Sequence, residues 1–115
     1  MIPGQREATL ATLAAVRLAQ GRTVDALAAA QEAMGREEPP PMRRIHEPFI
    51  RRIYVEALAA AGDHEGARAA LVVARARVLE IATRIGDPAL QRTFLEDAHS
   101  NARSLALAEE WLGMP

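Results

Sequence analysis

Apolar residues along this chain recur at spacings of three and four, the pattern of helices that bury one face. The clearest case lies within residues 64–85, where six apolar side chains form one stripe: Ala67, Leu71, Ala74, Val78, Ile81 and Ile85. Val72, Val73 and Leu79 lie off that stripe, so we expect this helix to be covered on several sides. No segment alternates with the period of two that strands require. The pattern predicts an all-α protein.

Glycines, prolines and capping residues divide the chain into about six predicted helices. The first five cover about residues 5–20, 24–34, 42–61, 64–85 and 88–98, and the sixth ends near 112. Glycine follows five of them, at Gly21, Gly35, Gly62, Gly86 and Gly113. The expected N-terminal caps are Thr23, Asp63, Asp87 and Ser100. Pro48 falls inside the third helix, which therefore either kinks there or begins near it.

Composition and charge narrow the class of protein. The 115 residues fit a single domain, half of them are hydrophobic, and alanine dominates that half while aromatics make up 3%. A net charge of −1 lacks the basic excess of a nucleic-acid binder. No apolar run approaches the ~20 residues of a membrane span. We therefore expect neither nucleic acid nor membrane as a partner, and, since the first residues do not resemble a signal peptide, a cytoplasmic location.

Two segments of the chain match each other with an offset of 41 residues. Residues 19–26 align with 60–67, which pairs Gly21 with Gly62 and Ala26 with Ala67. Beyond this segment, Ala30 and Ala33 align with Leu71 and Ala74. A glycine turn between two helices, repeated at such a period, is typical of helical solenoids.

The glycine and the small residues five, nine and twelve positions after it resemble the tetratricopeptide repeat. The first helix lacks that family's usual large aromatic and glycine, the closing proline is absent, and the period exceeds the usual ~34 residues. The resemblance implies antiparallel hairpins stacked as a short solenoid, with residues 1–35, 42–86 and 87–113 as successive hairpins.

The second half of the chain is also similar to the C-terminal end of tetratricopeptide arrays in large bacterial signalling proteins. The residues that carry this similarity include Asp87-Pro88, Phe94-Leu95-Glu96, Asn101-Ala102-Arg103 and Trp111-Leu112. The similarity implies that the last hairpin caps the stack, with Phe94 and Trp111 as structural positions. Trp111 is about as well explained as part of an exposed interaction patch.

The resemblance also implies a binding surface formed by the first helix of each pair. The candidate partner-binding residues are Arg17, Arg44, Arg51, Arg52 and Tyr54. Guanidinium groups suit an acidic peptide or a phosphate. Glu47 and Glu56 stand four residues from Arg51 and Arg52, however, so these arginines are also explained as a self-neutralised, solvated helix face.

No motif in the sequence advertises catalysis, a metal or a cofactor. His46, His64 and His99 stand on different elements without a second ligand at paired spacing, and the chain has no cysteine. We therefore expect a non-catalytic scaffold that binds a protein, a peptide or a neighbouring domain. The alternative is a structural capping segment that forms a homodimer.

Overall fold

The computed structural model describes residues 5–35 and 47–113, which fold into six α-helices without a strand. These helices are α1 (Gln5–Ala19), α2 (Thr23–Met34), α3 (Glu47–Ala60), α4 (His64–Thr83), α5 (Pro88–Glu96) and α6 (His99–Leu112). The predicted all-α class is confirmed. None of the described helices is both long and apolar enough to span a membrane. The predicted linker and the start of the third helix, residues 36–46, lie outside the described residues.

The turns after α1 and α3 are built by the same hydrogen bonds. Gly21 N donates to Leu18 O at 3.0 Å, and Gly62 N donates to Ala59 O at 3.0 Å. The residues after these glycines likewise donate to carbonyls five positions back, at 2.9 and 3.0 Å. Both glycines have positive φ, +76° and +89°, which a residue with a Cβ adopts only with strain. The 41-residue offset therefore applies to the backbone as well as to the residue types.

Two of the predicted helix caps are present and two are not. Asp63 accepts a hydrogen bond from Gly66 N at 2.9 Å, and Asp87 accepts one from Ala89 N at 2.8 Å. The predicted cap at Thr23 is wrong, because Thr23 is already helical and Arg22 precedes it without a side-chain cap. Ser100 is also not a cap, since α6 begins at His99.

The first two hairpins pack through equivalent residues. One side of the first hairpin buries Ala14, Ala29, Ala30 and Ala33 against α3, whose Ile50, Ile53 and Ala57 lie in the same clusters. The corresponding side of the second hairpin contains Val55, Ala70, Leu71 and Ala74, each 41 positions further on. Leu107 and Ala108 of α6 complete that second cluster. Helix α6 thus packs on the second hairpin as α3 packs on the first.

The last two helices do not continue the 41-residue offset in their packing. Continuing the 41-residue offset would place α5 against α3, but α5 contacts only α4 and α6 among the described helices. It is nine residues long and buries none of them, so it has no face with which to replace α6. Helices α2 and α4 do not contact each other, whereas α3 contacts both α1 and α6.

Coverage of α4 is less complete than its sequence led us to expect. Its stripe from Ala67 to Val78 is buried. Val72 and Val73 are nevertheless 43% and 46% exposed. The expectation that these valines are covered by other helices is therefore wrong for the described residues.

Candidate functional site

The predicted partner-binding residues have different surroundings where the structure describes them. Arg17 is half-buried, and its Nη1 donates to the Asp25 carbonyl at 3.5 Å across the first hairpin. Tyr54 is half-buried against the cluster that contains Ala14 and Ile53. Arg44 lies outside the described residues. Arg51 and Arg52 are adjacent in sequence but belong to different clusters of ion pairs.

Arg51 belongs to an ion-pair network between α3 and α4. The centre of the network is Glu47, whose side chain is only 5% exposed. Arg51 Nε donates to Glu47 Oε1 at 2.9 Å. Arg77 of α4 donates through Nε to Oε1 at 2.9 Å and through Nη2 to Oε2 at 3.0 Å. The network continues from Arg77 to Glu80 and from there to Arg84 near the surface.

The electrostatics of Glu47 are set by two opposing effects. Burial by itself raises the pKa of the Glu47 carboxyl, because a buried charge loses hydration. The hydrogen bonds from Arg77 and Arg51 outweigh burial and leave the pKa below its ordinary value of 4.5. The same contact with Glu47 raises the pKa of the Arg77 guanidinium. Arg51 is therefore bound to a buried carboxylate that also pairs with α4, which makes it unsuitable as a free peptide contact.

Arg52 belongs to a second cluster, which we call the arginine seam: Phe49, Arg52 and Glu56 of α3 with Ser100 and Arg103 of α6. Arg52 Nη1 donates to Glu56 at 2.8 Å and its Nε donates to Ser100 Oγ at 3.2 Å. Its guanidinium carbon lies 5.6 Å from the centre of the Phe49 ring, within cation–π range. Arg103 Nε lies 3.6 Å from the second oxygen of Glu56.

The seam holds one carboxylate between two guanidinium groups, so one positive charge is in excess. The side chain of Arg52 is 12% exposed and has three kinds of contact, whereas that of Arg103 is 46% exposed and pairs with Glu56. Glu56 keeps Arg52 as a partner when Arg103 moves. The arrangement can therefore offer the Arg103 guanidinium to an incoming carboxylate without leaving Glu56 unpaired.

The sequence predicted some of the ion pairs in these two clusters. The pairs Glu47–Arg51 and Arg52–Glu56 are four residues apart, and both form. Arg77 and Arg103 were missed, because their partners on α3 are distant in sequence and only the fold brings them together. The interpretation of the arginines as a solvated face does not hold for Arg51 and Arg52, which are both half-buried.

The structural repeat positions next to the two glycine turns occupy equivalent places. Ala26 and Ala67 are fully buried at 0% and 1% exposure, next to the turns at Gly21 and Gly62. Phe94 of α5 is half-buried, and its carbonyl accepts a hydrogen bond from Asn101 Nδ2 at 2.9 Å. Trp111 is half-buried against the cluster around Leu71 and Leu107.

Trp111 also lines a small cavity between α4 and α6. The cavity has a volume of about 130 Å³, and its other lining residues are His64, Ala67 and Arg68. Among the residues that the structure describes, no group of three or more histidines, aspartates and glutamates is placed to hold a metal ion. His64 and His99 are both exposed, and His46 lies outside the described residues.

Searches against known protein families, curated proteins and solved structures found no match to this chain. Its function has to be inferred from its own residues and contacts.

Proposed function

We propose that the chain is a non-catalytic protein-interaction module, a tetratricopeptide-like helical stack that binds an acidic segment of a partner protein at the arginine seam. The observation that carries this function is Arg103, whose side chain is 46% exposed and whose guanidinium lies beside a carboxylate that Arg52 already neutralises. We further propose a bacterial signalling context and a cytoplasmic location, as expected from the sequence.

The repeated packing supports the tetratricopeptide-like part of the proposal. The glycine turns share their hydrogen bonds, and the clusters at Ala14–Ala30 and Val55–Leu71 are related by the same offset. Helix α6 takes the place that the first helix of a third repeat has in such a stack. In such a stack the arginine seam lies where α3 meets α6.

Preorganisation supports the choice of an acidic ligand. Arg52 is held by Ser100, by Glu56 and by the Phe49 ring, so little side-chain entropy is lost when a carboxylate binds beside it. Arg103 supplies the second guanidinium, and a guanidinium matches a carboxylate through two parallel hydrogen bonds. The excess positive charge favours an anionic segment over a neutral or basic one.

Selection from a random peptide library displayed on phage tests this function directly. The full chain is immobilised, and peptides are selected against wild type, Arg103→Ala and Arg84→Ala. Arg84 is the matched control, because its side chain is 62% exposed and also pairs with a glutamate, but it directly follows α4 and its partner Glu80 is not part of the seam. We expect acidic peptides to be enriched on wild type and on Arg84→Ala, and to be lost on Arg103→Ala.

Two results would refute the proposed site. One is selection without enrichment of acidic residues, and the other is equal recovery of the selected peptides by wild type and Arg103→Ala. The selected peptides should also bind more weakly as salt rises, because the seam contributes through charge.

A structural cap is the second candidate function, and the position of α6 favours it. Leu107 and Ala108 cover the end of the second hairpin, as expected of a helix that closes a stack. Light scattering after size exclusion distinguishes the two functions. A dimer independent of concentration supports the capping and homodimerisation role, and a monomer that binds acidic peptides supports the interaction module.

A further inference from the structure

Helices α5 and α6, which we call the terminal hairpin, are joined to the rest of the chain by little apolar burial. Helix α5 buries none of its residues. The apolar side chains that α6 buries are Leu107 and Ala108, with Trp111 half-buried beside them. Helix α3 docks on the first hairpin with a bulkier buried set: Ile50, Ile53 and Ala57. The fully buried apolar contact of α6 is therefore smaller than that of α3.

Helix α6 also buries two polar side chains, Asn101 and Ser104, at 3% and 1% exposure. Asn101 Nδ2 donates to the Phe94 carbonyl at 2.9 Å, a hydrogen bond within the terminal hairpin. Among the described residues, Asn101 Oδ1 and Ser104 Oγ have no hydrogen-bond partner. A buried polar atom without a partner lowers stability, because it forms hydrogen bonds with water once it is exposed. Undocking α6 would relieve both atoms and keep the bond between Asn101 and Phe94.

The polar links between the terminal hairpin and the other helices can be replaced by water. Gln91 Nε2 donates to the Ala82 carbonyl at 2.8 Å, and the arginine seam joins α3 to α6. Gly86, in the connection between α4 and α5, has nothing within 4 Å of the position of a Cβ. The chain therefore has room to bend where the terminal hairpin begins.

We infer that the terminal hairpin opens as a unit while α1–α4 stay folded, and that its opening takes the arginine seam apart. Arg52 and Glu56 stay on α3, whereas Ser100 and Arg103 leave with α6. The two guanidinium groups are neighbours only in the closed form. The second half of the inference rests on the proposed function: an anionic segment that contacts both arginines binds the closed form and shifts the equilibrium towards it.

Native-state hydrogen exchange, read by mass spectrometry on the wild-type chain, tests the opening. Without denaturant, we expect the best-protected amides of α6 to exchange about tenfold faster or more than those of α2 and α3. The two sets of rates should converge as urea rises, because local opening exposes less surface than global unfolding. Equal protection of α6 and α3 without denaturant would overturn the inference.

Ile53→Val separates local opening from global unfolding. Ile53 is 2% exposed and packs between α3 and the first hairpin whether or not α6 is docked. The substitution should speed exchange in α2 and α3 by about threefold or more and leave α6 unchanged. Equal acceleration in α6 would show that α6 exchanges only when the whole chain unfolds, which would also overturn the inference.

Ser104→Ala tests the cause of the opening. Removing the unpartnered hydroxyl should slow exchange in α6 by about fivefold or more. Ala106→Ser, at an exposed position of the same helix, is the matched control for helix propensity and should speed exchange in α6 by about twofold. Effects of equal size and opposite direction would contradict the role given to Ser104.

Hexaglutamate is the anionic probe for the coupling to the seam, and calorimetry measures its binding. At ten times its Kd, it should slow exchange in α6 by about tenfold in wild type and have no effect in Arg103→Ala. Binding that leaves exchange in α6 unchanged would overturn the coupling. Absence of binding would instead refute the proposed function, and the response of α6 to Ile53→Val would still decide whether the terminal hairpin opens.

Discussion

Removing Arg77 should destabilise the protein far more than removing Arg84, although both arginines pair with Glu80. Arg77 makes two charge-assisted hydrogen bonds to Glu47, whose carboxylate is 5% exposed. Removing one partner of a buried ion pair costs about 3–5 kcal/mol. Because the Arg77 side chain is itself 27% exposed and Arg51 remains bound to Glu47, we expect Arg77→Ala to cost about 2–3 kcal/mol.

Arg84→Ala is the control, with an expected cost of ~0–1 kcal/mol, because both members of the Arg84–Glu80 pair are largely exposed. Urea unfolding at neutral pH measures both values. Equal costs for the two substitutions would show that Glu47 is not effectively buried.

The cost of Arg77→Ala should also depend on pH in a defined direction. The lowered pKa of Glu47 means that its contribution to stability is present above 4.5 and is lost as pH falls through the lowered value. Without Arg77, burial is opposed by Arg51 alone, so the Glu47 carboxyl protonates at a higher pH than in wild type. The difference in unfolding free energy between wild type and Arg77→Ala should therefore narrow as pH falls below 4.5. A difference that stays constant over this range would refute the assigned role of Glu47.

Three further substitutions test the repeat by urea unfolding. Ala67→Leu should lower the free energy of unfolding by about 1–3 kcal/mol through overpacking, whereas the exposed control Ala69→Leu should change it little. Equal effects of the two substitutions would contradict the close approach of the paired helices at Ala67. Gly62→Ala should cost about 1–2 kcal/mol because of its φ of +89°, whereas Gly86→Ala, with open space around it and no positive φ, should be tolerated. Asp63→Ala should cost about 1 kcal/mol by removing the cap on Gly66 N, and an unchanged midpoint would show that this hydrogen bond contributes nothing.

Local signals in the sequence predicted the elements of this fold well. The breaks at Gly21 and Gly62 follow from the backbone conformation that glycine permits, and Asp63 and Asp87 cap the helices that they precede. Thr23 and Ser100 were assigned as caps by residue type alone. A serine or threonine caps only where the backbone has already left the helix, and the sequence does not specify on which side of the boundary it lies.

The candidate site was harder to predict, because the ion pairs formed by the charged residues of α3 depend on which helix lies beside each residue. The four-residue spacing identified Glu47–Arg51 and Arg52–Glu56, but it could not show that the first pair faces α4 and the second faces α6. Neighbouring positions on a helix point about 100° apart, so Arg51 and Arg52 lie in different clusters of ion pairs. The arginines that complete each cluster, Arg77 and Arg103, come from those other helices.

The arrangement of the last two helices shows where a repeat period stops predicting structure. The offset of 41 would place Phe94 and Ala98 where Ile53 and Ala57 lie on α3, but α5 is too short and buries no residue. Helix α6 has 14 residues, as α3 does, and buries Leu107 and Ala108 on one side. Whichever helix buries more apolar surface against Val55 and Leu71 occupies that position, and α5 serves as the connection that lets α6 reach it. The 41-residue period describes the spacing of similar residues along the sequence. Which helix packs on the second hairpin depends on the apolar face that the helix offers.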